Sequence, residues 1–171
     1  ADSDSAPAGP PRHAGEAALH LEDLRLNQIG DCRRCKLCEQ RNKIVFGSGN
    51  EKSPLVFVGE GPGADEDAQG VPFVGRAGQL LHVMIAALGL KREEVYIANV
   101  LKCRPPENRD PQAEGVAQCE PYLMQQIGLI QPKLIVALGR HAAHSLLKTE
   151  TALGKLRGQR HSYQGTPLVV T

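Results

Sequence analysis

Tryptophan is absent from the 171 residues, and phenylalanine and tyrosine contribute only three each. Long apolar runs are missing as well. None approaches the roughly 18–20 residues that a membrane-spanning helix needs, which excludes a transmembrane segment. The first dozen residues, rich in Ala, Asp, Ser, Pro and Gly, hold no apolar stretch of the kind that marks a secretory signal, so a cytoplasmic protein is expected. Excess charge of either sign is lacking: 20 Lys and Arg stand against 19 Asp and Glu, a formal net charge of +1. That balance removes any whole-protein electrostatic case for nucleic-acid binding and leaves only local clusters. Arg33, Arg34, Lys36, Arg41 and Lys43 form one; Lys155, Arg157, Arg160 and His161 form another. Either reads equally well as a solvated charged face. Five cysteines, an odd number in a chain without a signal, argue against a secreted disulfide framework and for a metal or redox site.

What is present suits one domain with a real core: 41% of residues are hydrophobic and 23% charged. Residues 1–12 read as a disordered tail, too polar and proline-rich to bury anything, and residues 13–171 as a single domain. Ala18, Leu21, Leu24 and Ile29 recur at helical spacing over residues 15–29, and Gly30 ends the pattern. Four short apolar runs, residues 55–59, 95–100, 134–138 and 168–171, read as buried parallel strands. Helices are expected between them. Residues 77–88 carry Leu80, Leu81, Met84, Ile85 and Leu88 on one face; residues 111–130 open on Asp110 as N-cap with Pro111 in the first turn; residues 139–147 form a shorter helix. Alternating strands and helices predict an α/β fold whose parallel sheet is covered on both faces. Ligands in such folds sit beyond the carboxyl ends of the strands, which points to residues 60–67, 99–109 and 139–142.

Cys32-Arg-Arg-Cys35 is a C-x-x-C pair; Cys103 follows the second strand and Cys119 lies in the next helix. Four thiolates suit tetrahedral zinc or a four-iron cluster, and spacing alone does not separate the two, although the long gap between Cys103 and Cys119 leans toward iron–sulfur. The plainer alternative for Cys103 and Cys119 is a buried core thiol. Cys38 reads as a spare small hydrophobe.

The run Gly59-Glu60-Gly61-Pro62-Gly63-Ala64-Asp65-Glu66-Asp67 follows the first strand. Its glycines allow close backbone approach to a flat ligand, it lacks the lysine of a phosphate-binding loop, and its four acidic residues would repel phosphates. A small neutral ligand fits better than a nucleotide polyphosphate; a plain tight turn is the alternative. Phe73, between Pro72 and Gly75, is placed to stack on a base or to pack in the core. Asn99 puts a carboxamide, one acceptor and two donors, at the end of an apolar run, a costly position unless it is satisfied.

Taken together, these segments resemble the family 4, iron–sulfur uracil-DNA glycosylases. The resemblance runs from Cys32 onward, about four-fifths of the chain, through Val45-Phe-Gly47, Gly59-Glu-Gly-Pro-Gly63 with Glu66-Asp67, and Pro72-Phe-Val-Gly75. It continues through Asn99-Val-Leu-Lys-Cys103-Arg-Pro-Pro106, Asn108-Arg109, Cys119 and Leu134-Ile-Val-Ala-Leu-Gly139. It implies a three-layer α/β/α fold with a four-stranded parallel sheet, and a [4Fe–4S] cluster on Cys32, Cys35, Cys103 and Cys119. It further implies a monomer that flips uracil out of DNA and hydrolyses its bond to deoxyribose. Uracil would stack on Phe73 while Asn99 accepts from N3–H and donates to O4, a pattern that cytosine reverses. Backbone at Glu60 and Gly61 would meet the carbonyls, and Glu66 would crowd C5, where thymine carries its methyl. Gly61 stands where other branches place a water-positioning Asp, so Glu60 is given pocket and electrostatic duties. The family also carries a C-terminal His-Pro segment; this sequence stops at Thr171, where that segment would begin, and the segment is expected to be absent here. His141, His144 and His161 do not occupy that motif. A zinc or cluster nucleic-acid-binding module without catalysis, or an electron-transfer protein, are the competing readings.

Overall fold

A computed structural model describes residues 20–171; the tail expected over residues 1–12 and the start of the first expected helix lie outside the described residues. Among them, six strands form one sheet in the order β1-β3-β2-β4-β6-β5. The four apolar runs are β2 (Leu55–Gly59), β3 (Tyr96–Asn99), β4 (Leu134–Ala137) and β6 (Thr166–Val170), all mutually parallel. Two short antiparallel edges extend this core: β1 (Ser48–Gly49) along β3 and β5 (His161–Tyr163) along β6. The four-stranded parallel expectation therefore becomes a six-stranded mixed sheet, because two- and three-residue edges carry too little periodicity to be read from sequence. No described helix is long and apolar enough to cross a membrane.

Strand alternation sets the layers. Val56 and Val58 of β2 and Tyr96 and Ala98 of β3 face a core built with α4 (Ala113–Ile130) and α5 (Gly139–Leu147). Phe57 and Ile97 face the opposite side, where α3 (Arg76–Ala87) contributes Leu81 and Ile85. The chain thus leaves β2 toward one face, through α2 (Ala64–Gln69) and α3, and leaves β3 and β4 toward the other, opening a crevice at the end of β2. A first helix, α1 (Leu21–Asp23), widens into a π-type segment (Leu24–Ile29) that ends at Gly30, as the periodicity predicts, and packs Leu24 and Ile29 against Tyr122.

Two helix readings need correction. Leu80 and Leu88 are 64% and 62% exposed, so the apolar face of α3 that meets the sheet is narrower than the sequence pattern suggests. Asp110 is not the N-cap of α4: that position is Gln112, without a side-chain cap, and the Asp110 carboxylate points to His141 instead. A final short helix, α6 (Leu153–Leu156), buries Leu156 and exposes Lys155, and Arg157 and Arg160 beyond it are exposed too.

Candidate active site

Gly59 and Asn99 are the last residues of β2 and β3 and lie opposite each other in the parallel register. By strand parity both share the face of Phe57 and Ile97, the α3 side of the sheet. Phe73 reaches the same spot from the loop before α3. A Cβ added to Gly59 would stand 2.4 Å from the tip of the Phe73 ring and 2.5 Å from Asn99 Oδ1. Only glycine leaves room there, so ring, bare backbone and carboxamide form one continuous wall. Asn99 is 2% exposed, and its Oδ1 is buried with no hydrogen-bond partner. A buried acceptor is seldom left so, and an unsatisfied one costs about 1–3 kcal/mol. Gly59→Ala is expected to push the Phe73 ring and the Asn99 carboxamide apart, lowering kcat/KM for any base bound between them by about 10-fold or more. Steady-state kinetics beside an unchanged circular dichroism spectrum would check this.

Asn99 is fixed from behind. The amide of Val100 donates to the Gly59 carbonyl (2.9 Å) and that of Leu101 to the Glu60 carbonyl (3.0 Å), locking the two loop starts together. Lys102 is fully buried; its Nζ donates to the Asn99 carbonyl (2.8 Å) and to Gln126 Oε1 (2.6 Å). Burial pulls the Lys102 ammonium down to about 7, against the neighbouring Cys119. Gln126 in turn donates to the Phe46 carbonyl (2.9 Å), tying the end of β3 to α4.

The acidic residues of the first loop separate by role. Asp67 is buried and accepts from the backbone and side chain of Asn42 (2.8 and 2.6 Å), an anchor for the segment arriving from the cysteines. Glu66 packs against the glycine loops on both sides: a Cβ on Gly63 or Gly75 would meet its carboxylate at 3.4 and 3.5 Å. Glu60 turns the other way, toward α5. Its carboxylate, Asp110 and His141 place one ligand atom each within 4.8 Å of one another, and His141 Nε2 lies 3.2 Å from Asp110 Oδ1. Burial raises the Glu60 carboxyl above its ordinary range and Asp110 adds to this, while His141 and Arg140 oppose it. A carboxyl raised on folding favours the fold below its unfolded pKa and loses that contribution as pH rises through the folded value. Glu60→Gln is therefore expected to raise the thermal midpoint at about pH 7 and to leave it nearly unchanged at about pH 3, below the ordinary carboxyl range, where the carboxyl is protonated in both the folded and the unfolded chain. Equal shifts at both pH values would rule out this origin.

The four expected cysteines converge. Cys103 and Cys119 are buried, Cys32 and Cys35 half-buried, and none is disulfide-bonded. Cys103 lies within electrostatic reach of Cys119 and Cys32, and Cys119 within reach of Cys35 and Cys32. Burial pushes the Cys103 thiol up to about 12, against Arg41, whose Nη1 is 3.4 Å from its sulfur and donates also to the Cys32 carbonyl (2.5 Å). Cys38, one turn on, enters none of these contacts among the described residues. The four thiols are near one another without being tight: among the described residues, the set of three ligand atoms within 4.8 Å is Glu60, Asp110 and His141, not cysteines. Of the first basic cluster, Arg33, Arg34, Lys36 and Lys43 are exposed and Arg41 is turned inward. Arg41 faces the cysteines and pairs with Asp31, Arg33 also pairs with Asp31, and Arg34 lies 5.0 Å over the Tyr122 ring.

Sequence reasoning gave Arg92, Arg41 and Asp110 no place at this site; Lys102 and His141 fall within the strand-end segments 99–109 and 139–142 that it pointed to, without a role of their own. Lys102, a charge inside the apolar run before Cys103, was the one local signal available. The pairing of Arg92 with the Phe73 loop spans 19 residues and has no sequence mark.

The glycine loop, the Phe73 ring and the Asn99 carboxamide thus meet at the carboxyl ends of β2 and β3 in an α/β sheet. A model of the uracil DNA glycosylase superfamily matches residues 46–171. The type-4 uracil-DNA glycosylase of Archaeoglobus fulgidus is 50% identical over 143 residues, 81% of this chain and 71% of that protein. That of Thermotoga maritima is 42% identical over 151 residues, 88% of this chain and 79% of that protein. The type-5 uracil-DNA glycosylase of Thermus thermophilus is more distant, 30% identical over 118 residues, 60% of this chain and 53% of that protein. The chain belongs to the uracil-DNA glycosylase superfamily and, within it, to the type-4 family.

Proposed function

We propose that the wall formed by Gly59, Phe73 and Asn99 receives a uracil flipped out of DNA, and that this chain hydrolyses its N-glycosidic bond. It is a base-excision repair glycosylase that leaves an abasic site. The observation that carries the reading is the unpartnered, buried Oδ1 of Asn99 beside an aromatic ring: an acceptor awaiting a donor, which N3–H of uracil supplies.

The chemistry follows from that placement. The nucleotide leaves the stack at a cost of a few kcal/mol, repaid by stacking on Phe73 and by edge contacts. The bond between C1′ and N1 then breaks, leaving an oxocarbenium-like sugar and a uracil anion; water adds to C1′, and the proton it loses ends on the uracil anion. The Asn99 carboxamide donates to O4 as negative charge develops there, assisted by backbone N–H groups of the Glu60–Gly61 turn. Glu66, held between the two glycine loops, closes the C5 side against a thymine methyl. Glu60, flanked by Asp110 and His141, adds negative potential near the sugar rather than serving as a general base.

The proposal extends to a [4Fe–4S] cluster on Cys32, Cys35, Cys103 and Cys119. Tetrahedral zinc would draw four sulfurs to roughly 3.8 Å of one another. Thiols that converge without a trio inside 4.8 Å suit the larger cluster better. When bound, it supplies a cross-link between the N-terminal segment, the loop after β3 and α4; the hydrolysis needs no redox step. A single polypeptide suffices for all these roles.

The test is release of uracil from a single-stranded oligonucleotide holding one uracil, with alkali revealing abasic sites and thymine and cytosine oligonucleotides as controls. Cleavage at uracil alone supports the reading. Binding of the oligonucleotide without cleavage would favour the non-catalytic module.

A further inference from the structure

Phe73 adopts φ +53°, the left-handed region in which the side chain of an aromatic residue crowds its own backbone. The other non-glycine residues of this kind among the described ones are Glu107, Asn108, Gln131, Lys148 and Gln164, all polar or charged; Gln131 and Lys148 are helix C-caps. Phe73 ends no helix, so something else must hold it.

Two features do. Arg92 donates through Nη1 to the Phe73 carbonyl (2.7 Å) and through Nη2 to the Pro72 carbonyl, a fork closed on two successive peptide units. On the same carbonyl sits Gly78 of α3, whose added Cβ would stand 2.0 Å from Phe73 O. Arg92 lies in the turn (Arg92–Glu94) that leads into β3, the strand that ends at Asn99. One short segment thus fixes the backbone behind the ring and carries the amide beside it. The guanidinium meets backbone carbonyls, not the ring, so it does not touch a base stacked on Phe73.

We propose that Arg92 is a positioning residue for uracil excision: its fork holds the Pro72–Phe73 peptides in the left-handed turn that stands the Phe73 ring on Gly59 beside Asn99. The inference rests on the reading that Phe73 stacks on the flipped base. Without the fork the turn relaxes toward negative φ, and the ring leaves the wall.

A double-mutant cycle tests it, using R92A, R92K, F73A and F73A/R92A on the uracil oligonucleotide, with free uracil as competitive inhibitor. R92A is expected to lower kcat/KM by about 10–100-fold and to raise the Ki of free uracil by about 10-fold. Visible absorbance and circular dichroism stay as in the wild type. R92K, which keeps the charge but offers no planar fork, falls between, and answers the question should R92A fail to fold. In the F73A background R92A adds nothing, because there is no ring left to place. F73A at wild-type kcat/KM and Ki would overturn the stacking reading itself. F73A impaired with R92A at wild-type values, or R92A losing the same factor in both backgrounds, would overturn the positioning role alone.

Discussion

Asn99→Ala is expected to slow uracil excision by about 10²–10³-fold, with little change in fold, and Asn99→Asp to slow it more than the alanine variant does. The order is the informative part. Alanine removes the donor to O4 and the acceptor for N3–H, but also removes a buried carbonyl oxygen that the free protein leaves unpaired. Aspartate keeps the shape and the acceptor yet loses the donor. It also sets a carboxylate against the charge that uracil acquires as it leaves, and like charges in a dry site repel strongly. Single-turnover rates for the two variants at saturating oligonucleotide check this. If Asn99→Asp matched the wild type, Asn99 would be a packing residue at the strand end, and the Gly59–Phe73–Asn99 wall would lose its chemical meaning.

Cys103→Ser is the second large effect. It is expected to abolish visible absorbance and bound iron, lower the thermal midpoint by about 10 °C or more, and bring excision down with it. The reason is position. Cys103 is buried directly after the loop that Lys102 ties to the Asn99 carbonyl, and Arg41 spans from its sulfur to the Cys32 backbone. A group that binds only the folded chain adds its binding free energy to the fold, and removing one of its four holders forfeits most of that. Cys38→Ser serves as the internal control: iron, absorbance and midpoint all remain. Iron retained by Cys103→Ser, or lost by Cys38→Ser, would overturn the ligand assignment. Both effects are read by iron analysis, visible spectra and thermal unfolding, independent of any activity.

Much of this was legible in the sequence, for identifiable reasons. The buried strands read well because β2, β3 and β4 are near-continuous apolar runs, and a polar Asn99 at the end of one stands out against such a background; β6 was expected over 168–171 but begins two residues earlier, at Thr166. Phe73 stood out because aromatics are scarce. What failed was either too short or too far apart. β1 and β5 offer two and three residues, below any periodic signal. Asp110 followed by Pro111 reads as a helix start from local chemistry, but the carboxylate has a partner in His141, 31 positions on, and the helix begins later. The basic run around Arg41 read equally well as a solvated charged face, and Arg33, Arg34, Lys36 and Lys43 are exposed; Arg41 alone turns in as the brace of the cysteine loops, its side chain only 7% exposed. Linear spacing reports which residues share an element; it does not report which side chains cross between elements.

The backbone lock at the ends of β2 and β3 has one more consequence. Hydrogen bonds from Val100 and Leu101 to the Gly59 and Glu60 carbonyls, with Lys102 on Asn99 from below, leave the recognition wall already assembled before any nucleotide arrives. Little of the energy of flipping is then spent on ordering the receptor, which favours the forward reaction. The same readiness works in reverse once the bond is cut. On the proposed reading, the liberated base retains its stacking surface and its edge contacts, loses only its tether, and is expected to compete with the next lesion for the same wall. Inhibition by free uracil is the expected consequence.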